Sequence, residues 1–267
     1  MDSEEKTSQT STTISPATRT FHSLIPQHLP PVPSSRPERA YSQPAGSAGI
    51  TFFSLPREIR NKIYKRVLIV AHPVFLFQDA GSRVETFAPE RPFRWLSLLY
   101  TNRQMHSEAI KVLYGMNNFG LLDTTPQQLG LLQTFLNYIG SVNAGLLSHL
   151  CINFPVAESI EGQPGKVKLR DDSLQSLKLL REKCTNLTTL ETLIHSKNSK
   201  GLIKTDQDNS QFIQNGLSHI DAQLKAIPSL NRVIVRNYNG TYDGTPTPLV
   251  IELMQGLGWV VLRGHRK

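Results

Sequence analysis

The feature that most constrains this fold is a unit in which a helix precedes an apolar strand, and it occurs three times in the C-terminal half of the 267-residue chain. The predicted units are helix 174–184 with strand 186–194, helix 213–227 with strand 228–235, and helix 249–257 with strand 259–262. Because a helix between two strands returns the chain to the same end of a sheet, the strands should be parallel and the helices should cover them.

The segment before these units predicts further strands and helices. We expect a strand at 119–122, a helix at 125–139 and a strand at 146–154, followed by a loop at 157–170 that is rich in glycine and proline. The spacing of the strands is uneven, so both a short leucine-rich-repeat-like array and a compact α/β sheet are open.

An amphipathic helix is predicted between Leu55 and Leu68, with Pro56 at its first position. Its apolar residues recur mostly every four positions, namely Ile59, Ile63 and Val67 with Tyr64 and Leu68 beside them. The basic residues fall mostly on other positions, namely Arg57, Arg60, Lys62, Lys65 and Arg66. One face should be apolar and the other basic.

A hairpin and a second helix should come next. Two short strands, 74–77 and 83–87, flank the turn residues Asp79-Ala80-Gly81. A helix from Phe93 to Tyr114 is predicted, with Gly115 as its stop. The apolar residues that share its face are Leu98, Met105, Ala109, Val112 and Leu113.

Residues 1–49 differ in composition from the rest, with nine Ser, six Thr and seven Pro. Such a segment has too few apolar residues to offset the entropy of ordering, and it serves as a spacer or as a phosphorylatable tail. The sequence therefore predicts a mixed α/β fold in three parts: a disordered tail at 1–49, a helical module with an inserted hairpin at 50–122, and an α/β region with mostly parallel strands at 123–267.

Composition also excludes several classes of protein. The chain has no apolar run of 18 residues and no apolar core of a signal peptide, so we expect neither a membrane span nor secretion. Its two cysteines, Cys151 and Cys184, are then reduced thiols in the cytoplasm or nucleus. The net charge of +8 belongs to residues 50–267, where it is spread over several segments without an aromatic platform, so nucleic-acid binding is disfavoured.

Catalytic and cofactor motifs are missing from the sequence. No phosphate-binding loop, no nucleophile elbow and no paired metal ligands occur, so we expect no enzyme activity, no cofactor and no metal. The second helix carries Asn102, Arg103, His106 and Glu108, but His106 and Glu108 lie two residues apart and on different faces. Helix capping and a buried arginine–carboxylate pair explain this polar group better than catalysis.

Two motifs stand out in the helical module. The first is Leu55-Pro56-x-Glu58-Ile59-Arg60-x-x-Ile63-Tyr64-x-x-Val67-Leu68. The second is Leu98-Leu99-x-Thr101-Asn102-Arg103-Gln104-x-x-x-Glu108-Ala109-x-x-x-Leu113-Tyr114-Gly115-x-Asn117-x-Phe119. In this order and spacing they resemble the signatures of the large fungal family of F-box-like proteins, over residues 52–122, and the stretch 129–155 resembles the next segment of that family's members.

The resemblance implies a noncatalytic protein-interaction subunit that docks on the small Skp-family adaptor of a cullin-RING ubiquitin ligase and recruits a protein substrate. The adaptor-binding residues that it implies are Leu55, Pro56, Ile59, Ile63 and Val67. The chain departs from an ordinary F-box where the hairpin at 72–87 replaces the short second helix. It departs again where the usual Cys-Lys-x-Trp of the last helix reads Thr101-Asn102-Arg103-Gln104.

The residues themselves leave three hypotheses open. Docking requires these five residues to be partly exposed in the isolated protein. If instead they face the second helix and the sheet, the chain is a structural or scaffold protein with no ligase role. An enzyme of unrecognised type would require a cleft that gathers several titratable side chains.

Overall fold

A computed structural model describes residues 22–23, 51–78, 83–89, 91–92, 94–121, 127–163, 166–194, 210–238 and 246–264. The predicted disordered tail at 1–49 lies outside the described residues apart from His22 and Ser23. The predicted turn at Asp79-Ala80-Gly81 also lies outside them.

The described chain forms ten strands and six α-helices. The strands are β1 His22–Ser23, β2 Val74–Phe77, β3 Glu85–Phe87, β4 Asn118–Leu121, β5 His149–Asn153, β6 Ala157–Ser159, β7 Val167–Leu169, β8 Thr189–Ile194, β9 Arg232–Tyr238 and β10 Val260–Gly264. The helices are α1 Arg57–Leu68, α2 Arg103–Met116, α3 Gln128–Ala144, α4 Asp171–Lys183, α5 Ser210–Lys225 and α6 Pro248–Gly256. Two 3-10 helices cover Phe52–Ser54 and Trp95–Tyr100.

Eight strands form one sheet in the order β1-β3-β2-β4-β5-β8-β9-β10. All neighbours from β2 to β10 are parallel, whereas β3 pairs antiparallel with both β2 and β1. The mixed α/β fold with mostly parallel strands and an inserted hairpin is therefore confirmed. From β4 onward each new strand of this sheet is added beside the previous one, so the sheet grows in one direction along the chain.

The helices pack on one face of this sheet. Leu150 of β5 is aligned with Leu190 of β8, and both belong to the core cluster that also includes the buried residues of the helices. Cys151, the residue after Leu150, and Leu193, three residues after Leu190, are buried but lie outside this cluster, because successive strand residues point to opposite faces. Each described α-helix contacts the next described one along the chain, so these helices form a layer in sequence order.

The predicted loop at 157–170 is wrong, since this segment contains the antiparallel hairpin of β6 and β7. Ala157, Val167 and Leu169 are buried in the core, and the hairpin contacts α5. Strands of three residues are too short to show a period in the sequence. Gly162, which pointed to a loop, lies in the turn of the hairpin with φ 73°.

The predicted helix from Phe93 to Tyr114 is in fact two helices, the 3-10 helix Trp95–Tyr100 and α2. Asn102 lies between them and caps the second, since its Oδ1 accepts hydrogen bonds from the backbone N–H groups of Gln104 and Met105 at 2.7 and 3.4 Å. The predicted stop at Gly115 is also wrong, because α2 continues to Met116.

Asn117 joins the ends of α1 and α2. Its side-chain Nδ2 donates to the carbonyl oxygens of Leu68 at 3.0 Å and Leu113 at 2.9 Å, and its Oδ1 accepts from the backbone N–H of Val70 at 2.9 Å. Asn117 is only 1% exposed. One buried side chain therefore satisfies backbone groups at both helix ends, where solvent access is small.

Candidate functional site

The inward side of α1 is formed by residues four apart, Arg60, Tyr64 and Leu68, all of which are buried. The predicted adaptor-binding residues, which we call the α1 stripe, lie beside this buried side. Ile59 is 39% exposed and Pro56 is also exposed, whereas Leu55, Ile63 and Val67 are half-buried. The folded chain thus leaves the α1 stripe accessible in part, and only Val67 of the five packs against the core cluster.

Arg60 holds α1 in this orientation. Its Nε and Nη2 donate to the two carboxylate oxygens of Glu108 on α2 at 2.9 and 2.7 Å, and its Nη1 donates to the Leu55 carbonyl oxygen at 2.7 Å. Tyr64 donates its hydroxyl to the same carboxylate at 3.0 Å. The sequence placed Arg60 among the basic residues of the outer face. That placement was wrong because a fork-shaped guanidinium can be buried when a carboxylate accepts both of its hydrogen bonds.

The arrangement fixes the ionisation of these groups. The hydrogen bonds from Arg60, together with those from Gln104 and Tyr64, outweigh burial and lower the pKa of Glu108 from 4.5 to about 2. Burial and the Glu108 carboxylate raise the pKa of Tyr64 to about 12. At neutral pH the carboxylate is ionised and the phenol is neutral, so the group is a stable structural tie between α1 and α2.

The polar residues of α2 have structural roles, as the sequence predicted. Asn102 caps the helix, Glu108 forms the arginine–carboxylate pair, and His106 Nδ1 lies 2.9 Å from the Leu99 carbonyl oxygen. The arginine in the pair is Arg60 from the other helix, while Arg103 is exposed. These contacts give Asn102, His106 and Glu108 structural roles.

Basic side chains border the α1 stripe on the solvent side. Lys62 and Arg66 are both exposed, and each comes three residues after an isoleucine of the stripe, Lys62 after Ile59 and Arg66 after Ile63. Residues three apart are neighbours on a helix surface. The first helix therefore offers an apolar stripe with a cationic border.

A second group of titratable side chains lies on the sheet face opposite the helices, and sequence reasoning missed it. Arg236 Nε donates to Glu191 Oε1 at 2.5 Å, and His149 Nε2 lies 3.7 Å from Glu191 Oε2, beyond hydrogen-bond distance. The three residues come from β9, β8 and β5. The only signal in the sequence was the presence of charged residues, Glu191 and Arg236, inside apolar strands.

This group does not form a catalytic pair. Burial raises the pKa of Glu191, but the combined interactions with His149 and Arg236 are stronger and lower it from 4.5 to about 2. Burial, with the nearby Glu191 charge, raises the pKa of Cys151 well above its ordinary value. Glu191 is thus an ion-paired carboxylate and Cys151 a protonated thiol, and neither is poised as a general base or a nucleophile.

A shallow pocket lies at the carboxyl end of β5, where parallel sheets often bind ligands. Its charged residues, Arg170 and Asp172, are bound to each other through two hydrogen bonds of 2.7 Å. This pairing leaves the pocket without an uncompensated charge for a ligand.

Within the described ranges, no three His, Cys, Asp or Glu side chains are grouped closely enough to hold a metal ion. None of the helices among those residues has the length and apolar character that crossing a membrane requires.

Comparison with known proteins adds no relative. The chain matches no family model, no curated protein and no solved structure.

Proposed function

We propose that this protein is a noncatalytic interaction subunit of the cytoplasm or nucleus that docks on a Skp-family adaptor of a cullin-RING ubiquitin ligase through the α1 stripe. The α/β region after the helical module would then present a protein substrate. The observation that carries the proposal is the orientation of α1. Arg60, Tyr64 and Leu68 anchor the helix, while Ile59 stays 39% exposed and Ile63 half-buried at its accessible edge.

Physical chemistry supports a docking role for this edge. An amphipathic helix binds a partner by laying apolar residues at i and i+4 into a groove, and Ile59 and Ile63 have this spacing. The neighbouring anchor does not use the side chains of Ile59 and Ile63. Arg60 and Tyr64 bond to Glu108, and Arg60 also bonds to the backbone carbonyl of Leu55. The helix can therefore contact a partner without leaving its own core.

The proposal is tested by mixing the 267-residue chain with a purified Skp-family adaptor and measuring complex formation by size-exclusion chromatography at micromolar concentration. A stable complex with the wild-type chain is expected. Absence of a complex would contradict the ligase role.

One observation favours the alternative of a structural or scaffold protein. Strand β2 of the helical module pairs with β4, and β4 pairs with β5, so the sheet is continuous across residue 122. The module is therefore part of the main sheet, and Val67 packs against the common core. The predicted domain boundaries at 49 and 122 stay predictions.

The substitution Ile63→Asp separates the two functions. If the α1 stripe is a docking face, the variant should keep the thermal unfolding temperature within a few degrees of the wild type and lose the adaptor. If the stripe only packs the core, the variant should unfold, because a buried unpaired carboxylate destabilises a core strongly. Circular dichroism melting distinguishes these results.

A further inference from the structure

The cationic border of the α1 stripe lacks a partner within the described part of the protein. Lys62 and Arg66 are four residues apart, so they are neighbours on α1, and neither lies within ion-pair distance of an acidic side chain among the residues that the structure describes. Like charges at this spacing disfavour a helix. The Lys62 and Arg66 charges therefore repel each other in the isolated protein.

Several other basic residues are paired with acidic ones in the described chain. Arg60 binds Glu108 on α2, Arg236 binds Glu191 on the sheet, and Lys225 binds Asp221 within α5. Lys178 and Arg181 of α4 are also exposed and, within the described ranges, unpaired. Unlike Lys62 and Arg66, they do not border the isoleucines of the α1 stripe. The combination of an accessible apolar stripe with an adjacent pair of cations is what distinguishes α1.

We propose that the partner of the α1 stripe is a protein groove with carboxylates on its rim, and that Lys62 and Arg66 pair with these carboxylates. This inference rests on the proposed docking function and adds the chemistry of the partner surface. Ile59 and Ile63 enter the apolar floor of the groove. Lys62 and Arg66, which follow these isoleucines by three residues, reach its acidic border. Complementary charges at such a rim mainly raise the association rate and select the partner.

The border should make binding sensitive to salt. Exposed charges interact over a Debye length of roughly 10 Å at 0.1 M salt and only about 3 Å at 1 M. Apolar contacts do not weaken in this way. The contribution of Lys62 and Arg66 should therefore be large at low salt and small at high salt, whereas that of Ile59 should persist.

The experiment uses the 267-residue chain and a purified Skp-family adaptor as the probe, with dissociation constants measured at about 50 mM and about 500 mM salt. The test variant carries Lys62→Glu and Arg66→Glu. The matched control carries Lys178→Glu and Arg181→Glu, which change the net charge equally on the exposed side of α4. Melting curves of both variants confirm that each is folded.

The test variant should bind at least about tenfold more weakly than the wild type at low salt, and the difference should shrink severalfold at high salt. The control should bind within about threefold of the wild type, since it changes only the overall charge. Equal losses in both variants, or a loss that does not depend on salt, would overturn the acidic-rim inference while leaving docking intact. If the wild type itself does not bind, the docking proposal and this inference both fall.

Discussion

At the scale of single residues, two buried polar contacts decide how the N-terminal helices are joined. Arg60 and Glu108 connect the middle of α1 to α2, and Asn117 connects their C-terminal ends. Both ties use side chains whose hydrogen bonds are specific in direction, so they fix the rotation of α1 about its axis. This rotation places Ile59 and Ile63 at the accessible edge and Tyr64 in the core.

The tie at Asn117 is tested by Asn117→Ala. The variant loses three hydrogen bonds and leaves three backbone groups without this partner in a buried site, so the free energy of unfolding should fall by about 2–4 kcal/mol. Urea unfolding followed by circular dichroism measures the change. Asn137→Ala is the control, because Asn137 is exposed and its side chain accepts a hydrogen bond from Lys183, and its effect should stay within about 0.5 kcal/mol. Equal effects would show that Asn117 is not a tie.

At the scale of secondary-structure elements, α3 contains a break at Gly140, whose φ of 77° and ψ of 163° are not helical. The regular part of the helix therefore ends at Ile139, where the sequence predicted its end. The backbone conformation of Gly140 is one that other residues adopt only at a considerable cost in energy. The break lets the chain turn toward β5 after the last buried residue of the regular part, Ile139.

Gly140→Ala should lower the free energy of unfolding by about 1–3 kcal/mol, entirely through the backbone, because an added methyl group would meet nothing within 4 Å. Gly130→Ala is a matched control in the same helix. It has helical backbone angles and equal space, so this change should raise stability by about 0.4–1 kcal/mol. Chemical denaturation should show that the two variants change the free energy of unfolding in opposite directions. A change in the same direction for both would refute this explanation of the break.

Most elements were predictable because their apolar residues repeat with a clear period. The helix–strand units ending in β8, β9 and β10 all appear where the sequence placed them, within a few residues. The rotation of α1 was not predictable, because the stripe and the buried side are adjacent on the helix. A charged residue such as Arg60 is expected on the exposed side unless its partner, Glu108, is known. The group of His149, Glu191 and Arg236 was hidden because it depends on the register of three strands.

At the scale of the whole molecule, two partly buried ion pairs link distant parts of the chain. Arg60–Glu108 joins two helices, and Arg236–Glu191 joins the adjacent strands β9 and β8. Both carboxylates have a pKa of about 2 in the folded protein, below the ordinary value of 4.5. Their contribution to stability is therefore complete well above pH 4.5 and is lost as the pH falls toward about 2, because the unfolded chain binds the protons first.

The wild-type protein should accordingly lose stability between about pH 5 and about pH 2, and Glu108→Gln should reduce the slope of this loss, since one of the two titrating carboxylates is gone. The variant should be less stable than the wild type at about pH 7 by about 1–3 kcal/mol. Urea midpoints measured at closely spaced pH values test this. If the urea midpoints of the two proteins fell with pH at the same rate, the assignment of the lowered pKa to Glu108 would be contradicted.

The central claim is that α1 presents its apolar stripe to another protein. The most direct test is titration calorimetry of a Skp-family adaptor with the wild-type chain, Ile59→Asp and Val142→Asp, the last being a control at a valine that is 76% exposed on α3. We expect the wild type and Val142→Asp to bind equally well, and a normally folded Ile59→Asp to bind at least about tenfold more weakly. Equal affinities for all three proteins, or no binding by the wild type, would contradict it.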